Sequence, residues 1–492
     1  MGSKYLVGLA LMVIGTFGGV VLASLSKRIR DVFFVLMILL APMTERFDIN
    51  FLSRDWYRGT TRGIEISMVD ILAISLLFSS VLFPRRGESR FFWPASLGLM
   101  LLFFLYCCFN VGISDPRLFG IFELSKMVRG ITIFLAVAFF VRSPREVKLL
   151  ILTLALIVCY EGAQAFRQRY VFGMYRVPGT VGDANSLSVF FCSTAPLFVA
   201  AIESKIPIML KLLCAMAIAL ACVGVVLTIS RAGLVIIALV LVGATLLTMS
   251  WRITAGKLIG FCLVVLSVGI VGGKSWKTIS ARFTEVSLTE EYQNNRNMGR
   301  GYYFRVAKAI VGDRPCGVGL NNWSYWVTQK YGPLMGYKFV KYKGTDIVPP
   351  EEIPEGSNVD VAQAAPAHSL LALTAGELGL PGLALFMLLT MRWFQMEASF
   401  LWKRSPDPMK RIGVGIFFCL CGLFLQSMTE WVFRQSSIYY VAHILLGVLA
   451  SLYYVKQKEK RAQIAEMAEE PEPELEPDEP EVLAEPAAAS GH

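Results

Sequence analysis

About thirteen apolar runs divide this chain, each long enough or nearly long enough to cross roughly 30 Å of hydrocarbon as a helix. Their approximate cores are 5–26, 31–43, 67–83, 91–112, 118–141, 147–166, 185–202, 209–229, 232–250, 257–273, 368–390, 412–430 and 437–455. Of 492 residues, 55% are hydrophobic and 17% charged, too apolar a balance for water to be the solvent of the whole chain. The expected fold is an all-α polytopic membrane protein of about 12–13 transmembrane helices, with one large, partly helical extracytoplasmic loop. The run at 31–43 is short and fits a tilted or re-entrant segment. The first run follows Met1–Lys4 without a convincing cleavage site and reads as a retained helix.

Lys and Arg placement orients the chain. Basic clusters stand at Lys27/Arg28/Arg30, Arg85/Arg86/Arg90, Arg142/Arg145/Lys148, Lys205/Lys211 and Arg252/Lys257. They continue at Arg392/Lys403/Arg404/Lys410/Arg411 and Lys456/Lys458/Lys460/Arg461. They fall at alternate loops, which the positive-inside tendency assigns to the cytoplasm. The opposite loops, 44–66, 167–184, 274–367 and 431–436, are then extracytoplasmic, and thirteen spans put the N-terminus outside. Net charge is +10, but the segment after Arg461 holds ten of the 37 acidic residues and none of the 47 basic ones, so the body carries +20. Much of that excess is topology signal, so it gives no reason to expect a nucleic-acid partner.

Four regions follow. Residues 1–166 are N-terminal transmembrane helices, and 167–390 form a second region that includes the outer loop 274–367. Residues 391–461 return to the membrane. Residues 462–492, rich in Glu and Pro, lack the apolar content to fold and are expected to be a disordered cytoplasmic tail. Only one of ten cysteines, Cys316, lies in the long outer loop, so no disulfide framework is expected there. Three histidines (His368, His443, His492) give no metal-ligand spacing, and neither metal nor cofactor is expected.

The long polar stretch has internal order. Tyr303, Phe304, Val306, Ala307 and Ile310 recur at helical spacing, which predicts an amphipathic helix over 300–312 lying on the membrane surface. Asp313-Arg314-Pro315 stops it and Gly317-Val318-Gly319 turns the chain. The irregular acidic segment from Pro349-Pro350-Glu351-Glu352 onward reads as a covering lid.

Charges within apolar runs demand partners or water. Glu123, Lys126 and Arg129 share one helix face, and Asp70, Glu161 and Glu377 are further cases; internal salt bridges or a functional path would each explain them. Arginines on the outer side break the positive-inside pattern: Arg167, Arg169, Arg176, Arg231, Arg300 and Arg305. A guanidinium binds phosphate oxygens through paired N–H groups and stays charged in a dry site. Arg231, Arg300, Arg176, Arg305 and Arg129 are therefore candidates for holding an anionic lipid headgroup or lipid diphosphate. His368, where the chain re-enters the membrane, is a polar helix-boundary residue or a base for a hydroxyl nucleophile.

Four blocks occur in order: Arg176…Gly179…Gly182-Asp183-Ala184-Asn185; Thr228-Ile229-Ser230-Arg231-Ala232-Gly233; Arg300…Arg314-Pro315-Cys316-Gly317-Val318-Gly319-Leu320-Asn321-Asn322; and His368-Ser369-Leu370…Glu377-Leu378-Gly379-Leu380-Pro381-Gly382. Over roughly 165–390 this series resembles the bacterial O-antigen ligase and O-antigen polymerase superfamily. The resemblance implies a polytopic C-class glycosyltransferase in the bacterial inner membrane. Such enzymes move a glycan from a polyprenyl-diphosphate carrier to a glycan, lipid or protein acceptor hydroxyl on the periplasmic face, without metal. It further implies that Arg231 and Arg300 bind the donor diphosphate and that His368 deprotonates the acceptor, with Asn185 and Glu377 in supporting positions. Ser369 stands where the family often has Asn, and Phe304 where it commonly has Trp. Two other readings are a transporter or flippase of a lipid-linked or anionic precursor, with Lys126 and Arg129 lining the path, and a structural envelope protein.

Overall fold

Helix starts in this chain are set by short polar side chains that take up the first free backbone N–H groups. Ser67 with Asp70, and Ser143 with Glu146, form capping boxes at the heads of two apolar helices. Ser26, Asp183, Ser230 and Asp407 cap four more. The computed structural model describes residues 3–84, 91–249, 255–284, 299–337, 339–340, 342–343, 346–347, 363–401 and 405–469.

Among the described residues, fifteen helices of eight or more residues carry the fold. They are α1 (Ser3–Leu25), α2 (Lys27–Leu40), α3 (Met68–Leu82), α4 (Leu97–Ile113), α5 (Arg117–Phe140), α6 (Pro144–Tyr170), α7 (Ala184–Cys192) and α8 (Ala195–Ile202). Then come α9 (Ile208–Thr228), α10 (Arg231–Thr248), α11 (Ala255–Thr284), α12 (Arg300–Asp313), α13 (Leu370–Leu401), α14 (Pro408–Ser427) and α15 (Ser436–Glu469). Among the described residues, strands form two short antiparallel pairs, Ile49–Phe51 with Ile64–Ile66 and Tyr342–Lys343 with Asp346–Ile347. The architecture is the expected all-α polytopic membrane protein, and each of the thirteen apolar cores falls on a helix, α7 and α8 sharing one.

Among the described residues, nine spans are long and apolar enough to cross a membrane by length and composition. The other four cores match α2, α3, α4 and α5, which are shorter or, in α5, more charged. Helices α5 and α15 pack together near the middle, flanked by α3, and α6 pairs with α9. Helices α1 and α11 lie at the periphery, with Phe17, Leu25, Phe261 and Leu266 exposed as a lipid-facing surface requires.

Three expectations are corrected. The amphipathic helix forms as α12, but its apolar face is not on the membrane surface: Tyr303, Val306 and Ile310 pack with Trp323, Val327 and Leu373 in a core of their own. Phe304 falls off that face and Tyr302 takes its place, because helical spacing selects 302, 303, 306 and 310. The apolar core at 257–273 continues as helix to Thr284. Helix α15 likewise runs to Glu469, inside the segment expected to be disordered, while 470–492 and the acidic stretch at 349–352 lie outside the described residues.

The polar loop is clasped to α13 at a break in that helix. Gly379 has φ +67°, and a Cβ there would sit 2.0 Å from the Pro315 carbonyl oxygen. At this break Val318 N donates to Gly376 O (2.9 Å), Gly319 N to Glu377 O (2.9 Å) and Leu380 N to Pro315 O (3.1 Å). Asn321 then reaches the Thr61 and Phe119 carbonyls at 2.8 and 2.9 Å, fixing the loop to the N-terminal part of the bundle.

One network of buried ions is matched in number. Arg434 Nε donates to Glu123 Oε1 at 3.1 Å and another of its nitrogens meets Glu377. Lys126 Nζ lies 2.8 Å from Glu123 Oε2 and donates to the Arg434 carbonyl at 2.6 Å. Two cations thus face two carboxylates. Arg129 belongs to a separate group, 2.8 Å from Asp70, 3.3 Å from Glu65 and 3.6 Å from Asp48. Breaking a buried pair strands its partner, at a cost of about 3–5 kcal/mol. Arg434→Met should therefore lower stability by that order in thermal or denaturant unfolding of the solubilised protein. Unfolding midpoints equal to those of the parent would show that the network contributes nothing.

Candidate active site

A cavity of about 310 Å³ opens at the end of the bundle where α9 finishes and α10, α12 and α13 begin. Among the described residues, Arg176, Arg231, Arg282 and Arg300 line it, together with His368 and the carboxylate of Glu430.

The loop before α7 supplies the first arginine. Gly179 (φ +62°) and Gly182 (φ +106°) make turns that side-chain-bearing residues resist. Buried Glu161 accepts from Thr180 N at 2.8 Å, and Gln168 exchanges two 2.8 Å bonds with Gly179, so the loop is held from below by α6. Asp183 caps α7 by accepting from Asn185 N (2.8 Å) and Ser186 N (3.4 Å). That cap sets Asn185 in the first turn, where its Oδ1 accepts from Arg176 Nη2 at 2.7 Å and its Nδ2 donates to Glu430 Oε1 at 3.1 Å.

Arg231 comes from the junction of α9 and α10. Ile229 ends α9 in the left-handed region (φ +55°), and Ser230 caps α10 by accepting from Gly233 N at 3.3 Å. A Cβ on Gly233 would lie 1.9 Å from Ser188 Oγ of α7, so only glycine permits this approach. The Ser-Arg-Ala-Gly sequence therefore encodes a cap, an arginine at the first helical position and a close contact. Arg300 opens α12 and donates from Nε to Thr429 O at 3.3 Å. Arg282 comes from the last turn of α11.

His368 precedes α13, whose start is fixed by Ser369: its Oγ accepts from Ala372 N at 3.4 Å. Asn and Ser are both good caps, which accounts for the Ser369 substitution. The imidazole Nδ1 lies 2.6 Å from Glu430 Oε2, and the Tyr303 ring centroid is 5.4 Å from that of His368. A carboxylate only accepts, so Nδ1 carries the proton and Nε2 keeps the lone pair. Burial opposes charging the imidazole, but the hydrogen bond and negative charge of Glu430 outweigh it and raise the His368 pKa above its ordinary value.

Of the residues singled out in the sequence, the structure brings together His368, Arg231, Arg300, Arg176 and Asn185. Three lie elsewhere. Arg305 is five residues beyond Arg300, roughly 140° around the helix from it, and does not line the cavity. Arg129 sits among Asp48, Glu65 and Asp70, and Glu377 is bound to Arg434 in the buried network. Sequence reasoning missed Glu430, Arg282 and Tyr303. Glu430 was counted as the last residue of an apolar run, although an acidic residue at the edge of a short outer loop is itself a signal.

These features define a polytopic membrane protein with an arginine-lined anion cavity beside a histidine–carboxylate pair. Residues 216–387 match the family described as O-Antigen ligase, which supports a likeness to membrane glycosyltransferases of the O-antigen ligase/polymerase type. The matched segment contains Arg231, Arg282, Arg300 and His368; Arg176, Asn185 and Glu430 fall outside it. No curated protein matches the chain.

The chain has only three histidines, so its imidazoles can be followed individually by nitrogen NMR of labelled protein. His368 should titrate above the ordinary histidine value in the parent and at lower pH in Glu430→Gln, because the variant removes the charge that favours imidazolium. An unchanged midpoint would refute the coupling.

Proposed function

We propose that the cavity transfers a glycan from a polyprenyl-diphosphate carrier to an acceptor hydroxyl. What carries this reading is the convergence of four arginines with the His368–Glu430 pair in one space. The acceptor oxygen attacks the anomeric carbon, its proton passes to His368 Nε2, and the bond from that carbon to the diphosphate oxygen breaks. Negative charge grows on the leaving diphosphate, and the lining guanidinium groups oppose it without needing to move. Glu430 holds the imidazole in the tautomer this step needs and stabilises the imidazolium that results. Asn185 ties Glu430 to Arg176, so the base and one diphosphate ligand share a framework.

Lys and Arg placement supports a location in the bacterial inner membrane with the cavity on the periplasmic side and the C-terminal tail in the cytoplasm. The acceptor is a hydroxyl of a glycan, lipid or protein. The transport reading loses its lining: Lys126 and Arg129, which a path for anions would use, are each held by carboxylates.

Several outcomes test this with purified protein, a polyprenyl-diphosphate glycan and candidate acceptors. His368→Ala should reduce transfer by about 100-fold or more while the protein still purifies folded, as expected for loss of a general base. Near-parental turnover in that variant would exclude the role. Arg231→Ala and Arg300→Ala should each lower kcat/KM for the donor by about 100-fold, with acceptor KM little changed, whereas Arg305→Ala should stay near the parent. Equal losses at all three positions would count against a dedicated diphosphate site. Turnover should persist in EDTA, and a loss restored by added divalent metal would contradict a leaving group stabilised by arginine alone.

A further inference from the structure

A second cavity, of about 540 Å³, lies at the other end of α9, between α9 and α6. Helix α9 has 21 residues, so its ends are about 30 Å apart. The arginine cavity begins just past its last residue and this one at its first, which puts the two on opposite faces of the membrane.

The lining of this second cavity is graded. Arg145 and Lys148 stand in the first two turns of α6, and Leu149 and Leu152 follow on the same helix face at spacings of four and seven from Arg145. Leu210 and Leu213 of α9 form the opposite wall. Charge is thus at the mouth and hydrocarbon is deeper. The three cations of this stretch also differ in what they touch. Arg142 stacks 4.1 Å from the Phe92 ring centroid, and Arg145 is steadied by Asp31 of α2. Lys148 makes no hydrogen bond or ion pair among the described residues.

We propose that this groove is a binding site for an anionic diacyl phospholipid of the leaflet opposite the arginine cavity. Its phosphate lies between Arg145 and Lys148 and an acyl chain runs along Leu149, Leu152, Leu210 and Leu213. Basic pockets between membrane helices attract anionic headgroups, while the apolar walls select a lipid over a free anion. The site is separate from glycan transfer and does not depend on that reading.

The test is native mass spectrometry of the detergent-purified protein with phosphatidylglycerol or phosphatidylcholine of identical chains. The parent should retain phosphatidylglycerol in preference to phosphatidylcholine. Lys148→Gln, which leaves the Arg145–Asp31 contact intact, should weaken phosphatidylglycerol binding by about fivefold, the order expected for one lost basic residue. Leu213→Trp, which fills the groove, should weaken binding of the same lipid without altering charge, and Arg392→Gln, a basic change outside the groove, should leave it unchanged. Equal retention of the two lipids, or equal binding by Lys148→Gln, Leu213→Trp and the parent, would overturn the proposal.

Discussion

Charge buried in an apolar bundle must be balanced inside the protein, and Arg434 is where this chain does so. Its guanidinium meets Glu123 of α5 and Glu377 of α13, while its backbone carbonyl accepts from Lys126. Removing any one member exposes an ion to low dielectric without compensation. The network therefore fixes α5, α13 and the turn between α14 and α15 against one another. That turn also carries Glu430, four residues before Arg434. The carboxylate that orients His368 is thus held by the same short segment whose far end is anchored among the buried charges.

The charged regions of this molecule are of two kinds. In the interior, Arg434 and Lys126 face two carboxylates, and Arg129 faces three. Around the cavity, among the described residues, Arg176, Arg231, Arg282 and Arg300 gather with Glu430, which His368 and Asn185 engage. Several guanidinium groups gathered around one open space favour an anionic ligand there. The open space they share is what separates this cluster from the structural networks, whose members fill the room between them.

How much was legible in the sequence follows from how local each signal is. Apolar runs and helix caps are local, so every membrane core fell on a helix and the α12 periodicity was readable. What the apolar face of α12 touches is a long-range fact, decided by Trp323, Val327 and Leu373, and the reading of a surface-lying helix failed there. Arg129 and Arg305 illustrate the same limit. An arginine's type and membrane side can be read from the chain, but its neighbours cannot: Asp48, Glu65 and Asp70 meet Arg129 only after 44–66 folds back onto α5. Glu430 and Arg282 were missed because helix ends were misplaced, at 430 and 273 respectively, and a residue's side of the boundary decides whether it is read as core or site.

The four sequence blocks also divide by task once folded. The first two build the cavity directly, through Arg176, Asn185 and Arg231. In the other two, Arg300 and His368 reach the cavity, while Pro315–Gly319 and Glu377–Leu380 lock the polar loop into the break in α13. The clasp is not idle with respect to chemistry. Gly379 and Gly317 permit backbone contacts that any side chain would obstruct, and those contacts bind the first turns of α13 to the loop that follows α12. His368 stands at the head of one of these helices and Arg300 at the head of the other. Their joint position at the cavity is therefore supported, beside the apolar core between the two helices, by two glycines with no chemistry of their own.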